Sequence, residues 1–115
     1  MSGDPKLGTE RIDAQIIDYV AAKIAEEIQP EKIILFGSHA RGDADQNSDL
    51  DLFVVTEAQE PSRIVRRKID RLLWGRRFPI EVIVRTPQEV DRNLKAKNPF
   101  YLHHIFKEGK VLYEK

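Results

Sequence analysis

Cysteine is absent from the 115-residue chain, and so are long apolar runs and any net charge. Without cysteine there is neither a disulfide framework nor a thiolate metal site, and a reducing cytoplasmic setting is expected. The longest uninterrupted aliphatic or aromatic runs have only four residues, as in Ile33–Phe36 and Leu52–Val55, and the first eleven residues contain no apolar signal-peptide core. Secretion and a membrane-spanning helix are therefore disfavoured.

The length fits one domain, and the charges divide it into two differently charged parts. Single domains typically have about 100–150 residues, so residues 1–115 are predicted to form one domain, with residues 1–9 flexible. Residues 1–62 carry 13 acidic and 5 basic residues, whereas residues 63–97 carry 4 acidic and 11 basic ones. The basic segment is either a docking surface for an anionic partner or an ordinary solvated helix face, and the sequence leaves both interpretations open.

Apolar spacing predicts helices and strands that alternate along the chain. Isoleucine or valine at four-residue intervals predicts a helix from Glu10 to Ile28, which Pro30 ends. Further helices are expected to begin at Pro61-Ser62, at Pro87 behind a Thr86 capping box, and at Asn98-Pro99. Strands are predicted at Lys32–Phe36, Leu50–Val55 and Ile80–Val84, with a short edge strand at Lys110–Glu114. This order is typical of a two-layer α/β or α+β domain.

Two aspartates stand at the start of the second predicted strand. Asp49 and Asp51 are one residue apart, and because strand side chains alternate, both carboxylates are expected to project from the same face. Their Cα atoms would be about 6–7 Å apart, so both could lean toward one hard cation, and without a cation they would repel each other. The pair is therefore a candidate metal site.

Glu81 is a charged residue inside the third predicted strand, on the face opposite Val82 and Val84. If the second and third strands are neighbours, Glu81 could join the two aspartates in a Mg²⁺ site, with nucleotide phosphates as the remaining ligands. The structural alternatives are a salt bridge to Arg85 or a position at an exposed sheet edge. The sequence does not decide among them.

Gly37 and Ser38 directly follow the first predicted strand. Glycine lets the backbone approach a phosphate closely, and serine offers a hydroxyl and an amide. Neither the GxxxxGK[ST] nor the GxGxxG nucleotide-binding pattern is present.

The chain resembles the nucleotidyltransferase superfamily that includes DNA polymerase β, and in particular its minimal, single-domain prokaryotic members. The resemblance is carried by Gly37-Ser38, ten intervening residues and Asp49-Leu50-Asp51, within the stretch GSHARGDADQNSDLDLFVV. It continues in FPIEVIVRTPQEV, which is similar to the segment that carries the family's third acid, and in IFKEGKVLYEK at the chain end. Together these segments cover most of residues 32–115.

The resemblance implies a nucleotidyltransferase fold, a small mixed β-sheet with helices packed on it. It also implies transfer of a nucleoside monophosphate, AMP from ATP, with two Mg²⁺ ions that could clamp the attacking and leaving oxygens. Asp49, Asp51 and Glu81 correspond to its catalytic metal ligands, and Gly37, Ser38 and Arg41 to its nucleotide-binding turn. Arg41 suits two roles equally, contact with phosphate or bracing of the loop.

Minimal members of this family commonly pair with HEPN-domain toxins, and the antitoxin adds AMP to its toxin. The expected acceptor is therefore a partner HEPN protein, with nucleic acid less favoured and oligomerisation left open. The family's third acid is normally Asp, whereas this chain has Glu81. An alternative is therefore a weak or inactive nucleotide-binding antitoxin that acts by contact with its partner.

Other polar and aromatic residues are interpreted as structural. Adjacent histidines on a helix point about 100° apart, so His103 and His104 are not a natural metal pair, and His39 is given the same structural interpretation. Tyr101 and Tyr113 are expected to pack, and Trp74 to seal the core or an interface.

Overall fold

The computed structural model describes residues 3–115, in which helices and strands alternate along the chain. The α-helices are α1 (Ala14–Ile28), α2 (Ser38–Arg41), α3 (Ser62–Leu72) and α4 (Pro87–Lys95). The strands are β1 (Lys32–Phe36), β2 (Leu50–Val55), β3 (Ile80–Arg85) and β4 (Lys110–Glu114). A 3₁₀ turn at Pro5–Leu7 and a π-helical turn at Phe100–Ile105 complete the described elements.

The four strands form one mixed sheet in the order β3-β2-β1-β4. β1 pairs antiparallel with both β2 and β4, whereas β2 and β3 run parallel. A parallel pair needs a crossover connection, and α3 supplies it by packing back on the sheet. The predicted mixed sheet with helices packed on it, and the short edge strand at the chain end, are confirmed.

An apolar cluster lies on each face of the sheet, so the central strands are buried on both sides. Leu50, Leu52 and Val54 contribute to the larger cluster, which lies under α1 and α3. Phe53 and Val55 point the other way, into a smaller cluster against α4 and the π-helical turn. There the Phe53 and Tyr101 rings meet edge to face at 5.5 Å, and Tyr101 packs as predicted.

One predicted helix start was wrong, and one of two predicted roles of Trp74 is excluded. α1 begins at Ala14 rather than Glu10, because the Asp13 carboxylate caps the helix by accepting from the Ile16 N–H at 2.9 Å. Trp74 is 52 % exposed, so it does not seal the core, and its alternative role at an interface stays a prediction. By contrast, the capping box of α4 is confirmed, with Thr86 and Glu89 each accepting from the other's backbone N–H.

The first described residues are attached to the body of the domain. Leu7 is fully buried, and Asp4 binds Lys23 of α1 at 2.8 Å and accepts the Tyr19 hydroxyl proton. The flexibility of residues 1–9 stays a prediction, and the first two residues of this segment lie outside the described part of the chain. Within residues 3–115, no helix has both the length and the apolar composition needed to cross a bilayer.

The contacts of Asp4 predict an acid-sensitive attachment of this segment. Hydrogen bonds from Lys23, Tyr19 and the Lys6 backbone lower the pKa of Asp4 from 3.8 to about 2. The ionised Asp4 carboxylate therefore makes its full contribution to the free energy of unfolding above pH 4, and this contribution is lost as the pH falls through 2 and the carboxylate is protonated. We expect Asp4→Asn to lower the free energy of unfolding at pH 6, and the difference from wild type to vanish near pH 2, in urea titrations.

Asp91→Asn is the matched control for this experiment, because it removes only an exposed ion pair with Lys95 within α4. An equal loss in both variants at pH 6 would contradict the attachment through Asp4.

Candidate functional site

The parallel pairing of β2 with β3 places two carboxylates side by side. Asp51 lies directly opposite Glu81 in the register of this pair. Both side chains project from the sheet face that carries Phe53 and Ile83, because neighbouring residues in register share a face. Because β2 and β3 are neighbours, Glu81 can share one site with the two aspartates, as the sequence analysis required.

Asp49 lies one residue before β2 and is exposed, whereas Asp51 is half-buried within the strand. Asp49 is nevertheless close enough for its charge to raise the pKa of Asp51. Among residues 3–115, no three aspartate, glutamate or histidine side chains lie close enough together to hold a metal ion by themselves.

Glu81 differs from both aspartates in its surroundings. It is exposed on β3, the edge strand of the sheet, which matches one of its two structural interpretations. The other interpretation, a salt bridge to Arg85, is not observed, since Glu81 forms no ion pair with any residue between 3 and 115. Arg85 instead donates to the Val84 carbonyl at 2.8 Å. The Glu81 carboxylate thus has no cationic partner within the described residues.

The Asp51 carboxylate holds its proton more tightly than an ordinary aspartate. Burial is the largest cause, and the negative charges of Glu81 and Asp49 add to it, so that the pKa of Asp51 rises from 3.8 to about 6. The positive charges of His39 and Arg41 oppose this shift. A buried carboxylate with two acidic neighbours is characteristic of sites that bind cations or transfer protons.

Gly37 brings the Gly-Ser turn against this carboxylate. Its backbone has φ +75° and ψ −156°, a conformation that essentially only glycine adopts. A Cβ atom on Gly37 would collide with the Asp51 Oδ2. The preceding residue, Phe36, pairs with Asp51 across the sheet, so β1 delivers the turn to the same point. Glycine is therefore required here for both its backbone conformation and its size.

Ser38 and Arg41 are the first and last residues of α2. The Ser38 carbonyl accepts the N–H groups of Gly42 and Asp43 at 2.9 and 3.1 Å and so closes the short helix. Arg41 is exposed; its Nε lies 3.2 Å from Asp43 and its Nη1 3.8 Å from Glu108. Arg41 thus braces the loop in this structure, and its contact with phosphate stays a prediction.

His39 was given a structural interpretation, but its position in the fold makes it a candidate site residue. Its Nε2 is buried without a hydrogen-bond partner among the described residues, and its charge affects the pKa of Asp51. An orphaned buried nitrogen requires a ligand, a water or strain to account for it. The sequence signal was its place directly after Gly37-Ser38, whereas its burial depends on contacts that the sequence does not show.

A cavity of ≈ 730 Å³ opens beside this histidine. It lies between the segment that precedes α1 and the loop that precedes β2. Its walls come from Glu10, Arg11, Ile12, His39, Ala44, Asp45, Gln46, Asn47 and Ser48. A space of this volume and mixed polarity is large enough for a nucleoside.

The family assignment agrees with this geometry. Residues 15–115 match the model of the family described as "Polymerase beta, Nucleotidyltransferase". The chain belongs to this family. The match begins at the second residue of α1 and includes the Gly-Ser turn, His39, Arg41 and the three carboxylates, but not the cavity wall formed by residues 10–12.

Two relatives of this chain come from Methanocaldococcus jannaschii, and each is named "Putative protein adenylyltransferase". One is 32% identical over 111 residues, covering 92% of this chain and 75% of the relative. The other is 28% identical over 107 residues, covering 93% of this chain and 100% of the relative. This nucleotidyltransferase domain therefore spans most or all of both relatives.

Two crystal structures share the nucleotidyltransferase fold. A Sulfolobus solfataricus protein described as a putative nucleotidyltransferase aligns with a TM-score of 0.59 and 22% identity, over 88% of this chain and 79% of its own. A structure described as a toxin-antitoxin with AMP-PNP aligns with a TM-score of 0.55 and 18% identity, over 85% of this chain and 73% of its own. At these identities the likeness shows the fold.

The contact between Gly37 and Asp51 predicts an asymmetry between two glycine substitutions. Gly37→Ala forces a strained φ and drives the Asp51 carboxylate from its place, whereas Gly42→Ala, at φ +87°, meets no atom within 4 Å. We expect Gly42→Ala to cost about 1 kcal/mol through the backbone alone and Gly37→Ala about 1–3 kcal/mol, from urea unfolding.

A double-mutant cycle separates the collision from the backbone strain. The double variant Gly37→Ala/Asp51→Ala should be about 0.5–1 kcal/mol more stable than the sum of the two single effects predicts. The reason is that alanine at position 51 has no carboxylate for the new Cβ at position 37 to displace. Strict additivity of the two substitutions would contradict the proposed contact.

The raised pKa of Asp51 predicts a stability gain when its charge is removed. The folded-state pKa of about 6 lies above 3.8, so the folded protein holds the proton more tightly than the unfolded chain. The protonated Asp51 side chain therefore makes its full contribution to the free energy of unfolding below pH 4, and this contribution is lost as the pH rises through 6 and the carboxylate ionises. We expect Asp51→Asn to be more stable than wild type by about 1–3 kcal/mol at pH 7.5 and to differ little at pH 4.

Asp18→Asn on α1 is the control, because this exposed aspartate makes no ion pair within residues 3–115. Its expected effect is within about 0.5 kcal/mol at either pH. Destabilisation by Asp51→Asn at pH 7.5 would refute the electrostatic origin of the shift.

Proposed function

We propose that this protein is a Mg²⁺-dependent nucleotidyltransferase that transfers AMP from ATP to a hydroxyl group of a partner protein. The observation that carries this proposal is the register of β2, which sets Asp51 opposite Glu81 of β3 and, through its pairing with β1, against Gly37. A phosphate-binding turn, an acidic pair and a third carboxylate thus converge at one end of the sheet. Family membership supplies the reaction class.

The proposed reaction is an in-line displacement at the α-phosphorus of ATP. The acceptor hydroxyl oxygen forms a bond to that phosphorus, and the bond from phosphorus to the bridging oxygen of the pyrophosphate breaks. The hydroxyl proton passes to a carboxylate, a role that Glu81 suits because it is exposed and unpaired within the described residues. Pyrophosphate leaves with the bonding electrons.

Asp49 and Asp51 are the residues that would hold Mg²⁺, with Glu81 as a third donor. Mg²⁺ usually takes one or two carboxylates and completes its octahedron with substrate phosphates and water, so a ready-made set of three protein ligands is unnecessary. The hard oxygen donors present here fit that preference. When bound, the ion neutralises the charge that develops on the phosphate oxygens.

Gly37, Ser38 and Arg41 are the proposed contacts to the triphosphate. The turn offers backbone N–H groups at the start of α2, and Gly37 admits the phosphate because it carries no side chain. The cavity beside His39 is adjacent to this turn and has room for the nucleoside. ATP would then lie across the carboxylates with its ribose directed toward the loop before β2.

A protein acceptor is favoured by the names of the relatives. Both M. jannaschii proteins are named as protein adenylyltransferases, and one of the structural neighbours is a toxin-antitoxin with AMP-PNP. We therefore propose an antitoxin role in which the acceptor is a partner toxin. A HEPN-domain protein is the proposed partner, by resemblance to minimal nucleotidyltransferases.

Radiolabelled ATP tests the transfer. With the product of an adjacent gene as acceptor, ATP labelled at the α-phosphate should label the acceptor in the presence of Mg²⁺, whereas ATP labelled at the γ-phosphate should not. Asp49→Ala or Asp51→Ala should reduce labelling to background. Glu81→Gln should slow it by about 10²–10⁴-fold if Glu81 accepts the proton, and Glu81→Asp should retain more activity than the amide.

Asp18→Ala controls for the loss of an unrelated aspartate and should leave labelling unchanged. Labelling from the γ-phosphate would mean phosphate rather than nucleotide transfer. No labelling from either position, with a folded protein that still binds the partner, would refute the proposed catalysis.

A second candidate function is that of an antitoxin that neutralises its partner by contact alone. The specific observation in its favour is that the chain has Glu81 where the family normally has Asp, on an exposed strand and without a preformed metal cluster among residues 3–115. In this case the combined Asp49→Ala and Asp51→Ala variant would still neutralise the toxin in cells. Loss of neutralisation in this variant favours the enzyme.

A further inference from the structure

One stretch of the sheet edge beside Glu81 is open to pairing. β3 is an edge strand, and no described strand covers its outer side. The Leu50 and Thr56 N–H groups donate to the Pro79 and Arg85 carbonyls, so the odd-numbered residues of this strand direct their backbone groups toward β2. The backbone groups of the even-numbered residues therefore point outward.

Only part of this outer edge is occupied by the chain's own side chains. Arg85 donates to the Val84 carbonyl at 2.8 Å, which satisfies the outward carbonyl farthest from the candidate site. The outward groups of Ile80 and Val82 remain, and they flank Glu81 along the strand. An unsatisfied strand edge is a template for another extended chain.

A groove of ≈ 400 Å³ runs between this edge and the start of α3. It is lined by Ser62, Arg63 and Arg66 from the helix and by β3 from Glu81 to Arg85. Arg63 and Arg66 are exposed and form no ion pair with any residue from 3 to 115. Lys68 and Arg76 nearby bind Glu60 and Asp70, whereas Arg67 and Arg71 form no ion pair within residues 3–115 but lie outside the groove.

The order of the strands separates this groove from the nucleotide turn. Gly37 and Ser38 follow β1, Asp51 lies on β2 with Asp49 just before it, and Glu81 lies on β3 at the outer edge. A segment paired with β3 would approach the carboxylates from the side opposite the turn. Because side chains alternate along a strand, one of its residues would lie on the same sheet face as Glu81.

We infer that the free edge of β3 and the groove of Arg63 and Arg66 bind an extended acidic segment of the acceptor protein, added to the sheet as a further strand. This inference rests on the proposed function and specifies how its acceptor is recognised. Backbone hydrogen bonds to Ile80 and Val82 fix the register, and the two arginines select acidic side chains. A serine, threonine or tyrosine of the segment thereby presents its hydroxyl to Glu81.

A synthetic peptide tests this binding separately from catalysis. The probe is a ten-residue peptide of alternating valine and glutamate with one central tyrosine, titrated against the full-length ¹⁵N-labelled chain without ATP or Mg²⁺. We expect saturable shifts of the β3 amide signals. Arg63→Glu combined with Arg66→Glu should weaken binding by at least about tenfold.

The matched control is Arg67→Glu combined with Arg71→Glu, which makes the same charge change on the same helix outside the groove. This control should bind the peptide with at most about a twofold change. Equal weakening in both double variants would overturn the inference, since it would show only attraction between net charges.

Backbone methylation of the peptide tests strand addition directly. N-methyl groups on alternate residues block pairing when they face β3 and leave it intact when they face solvent, so one of the two methylated forms should lose binding. Equal binding by both forms, or no saturable shift at about 1 mM peptide, would overturn the inference.

A single-stranded oligonucleotide that binds the groove when the peptide does not would also overturn it, in favour of a nucleic acid acceptor. The Asp49→Ala and Asp51→Ala variant should still bind the peptide. Peptide binding without nucleotide transfer would thus refute the proposed catalysis alone, and transfer without peptide binding would refute the edge-strand site alone.

Discussion

The candidate site depends on the parallel register between β2 and β3. This register sets Asp51 opposite Glu81, and it is held by the apolar residues on the reverse face, Leu52 opposite Val82 and Val54 opposite Val84. A slip of one residue would turn Glu81 into the larger core and expose the valines. The position of the acids is therefore fixed by hydrophobic burial elsewhere on the same strands, and the site needs no polar contacts of its own to assemble.

The same arrangement places destabilising groups at the end of a well-packed sheet. Asp51 is half-buried near two other acids, and Gly37 has a backbone conformation that essentially only glycine adopts. His39 has a buried nitrogen without a hydrogen-bond partner among the described residues. Each feature costs free energy, and the two-sided burial of β2 compensates for it. A concentration of such costs at one point is typical of functional sites, where the fold tolerates groups that a structural role would not retain.

Local patterns predicted the elements of this fold better than their ends and contacts. β1, β2 and the capping box of α4 were predictable because short β-branched stretches and a Thr-Pro-x-Glu start act within a few residues. The predicted start of α1 was wrong because an aspartate cap competed with apolar periodicity, and the exposure of Trp74 excludes the core and leaves an interface as its predicted role. The sequence could not predict that β2 and β3 are adjacent, since strand pairing is long-range, nor that the His39 Nε2 is buried, since this depends on contacts between distant segments.

The crossover between β2 and β3 also affects how the family can diverge. The acids face each other because the strands are in register, so the length of the exposed loop between β2 and α3 does not determine their position, whereas α3 itself is held by Val65 and Ile69 in the larger cluster. Insertions or deletions in that loop would leave the carboxylates in place, whereas the pairing of β1 with β2 fixes Gly37 against Asp51. Evolution is therefore free to vary the distance in sequence to the third acid, and with it the basic surface that α3 presents to a partner.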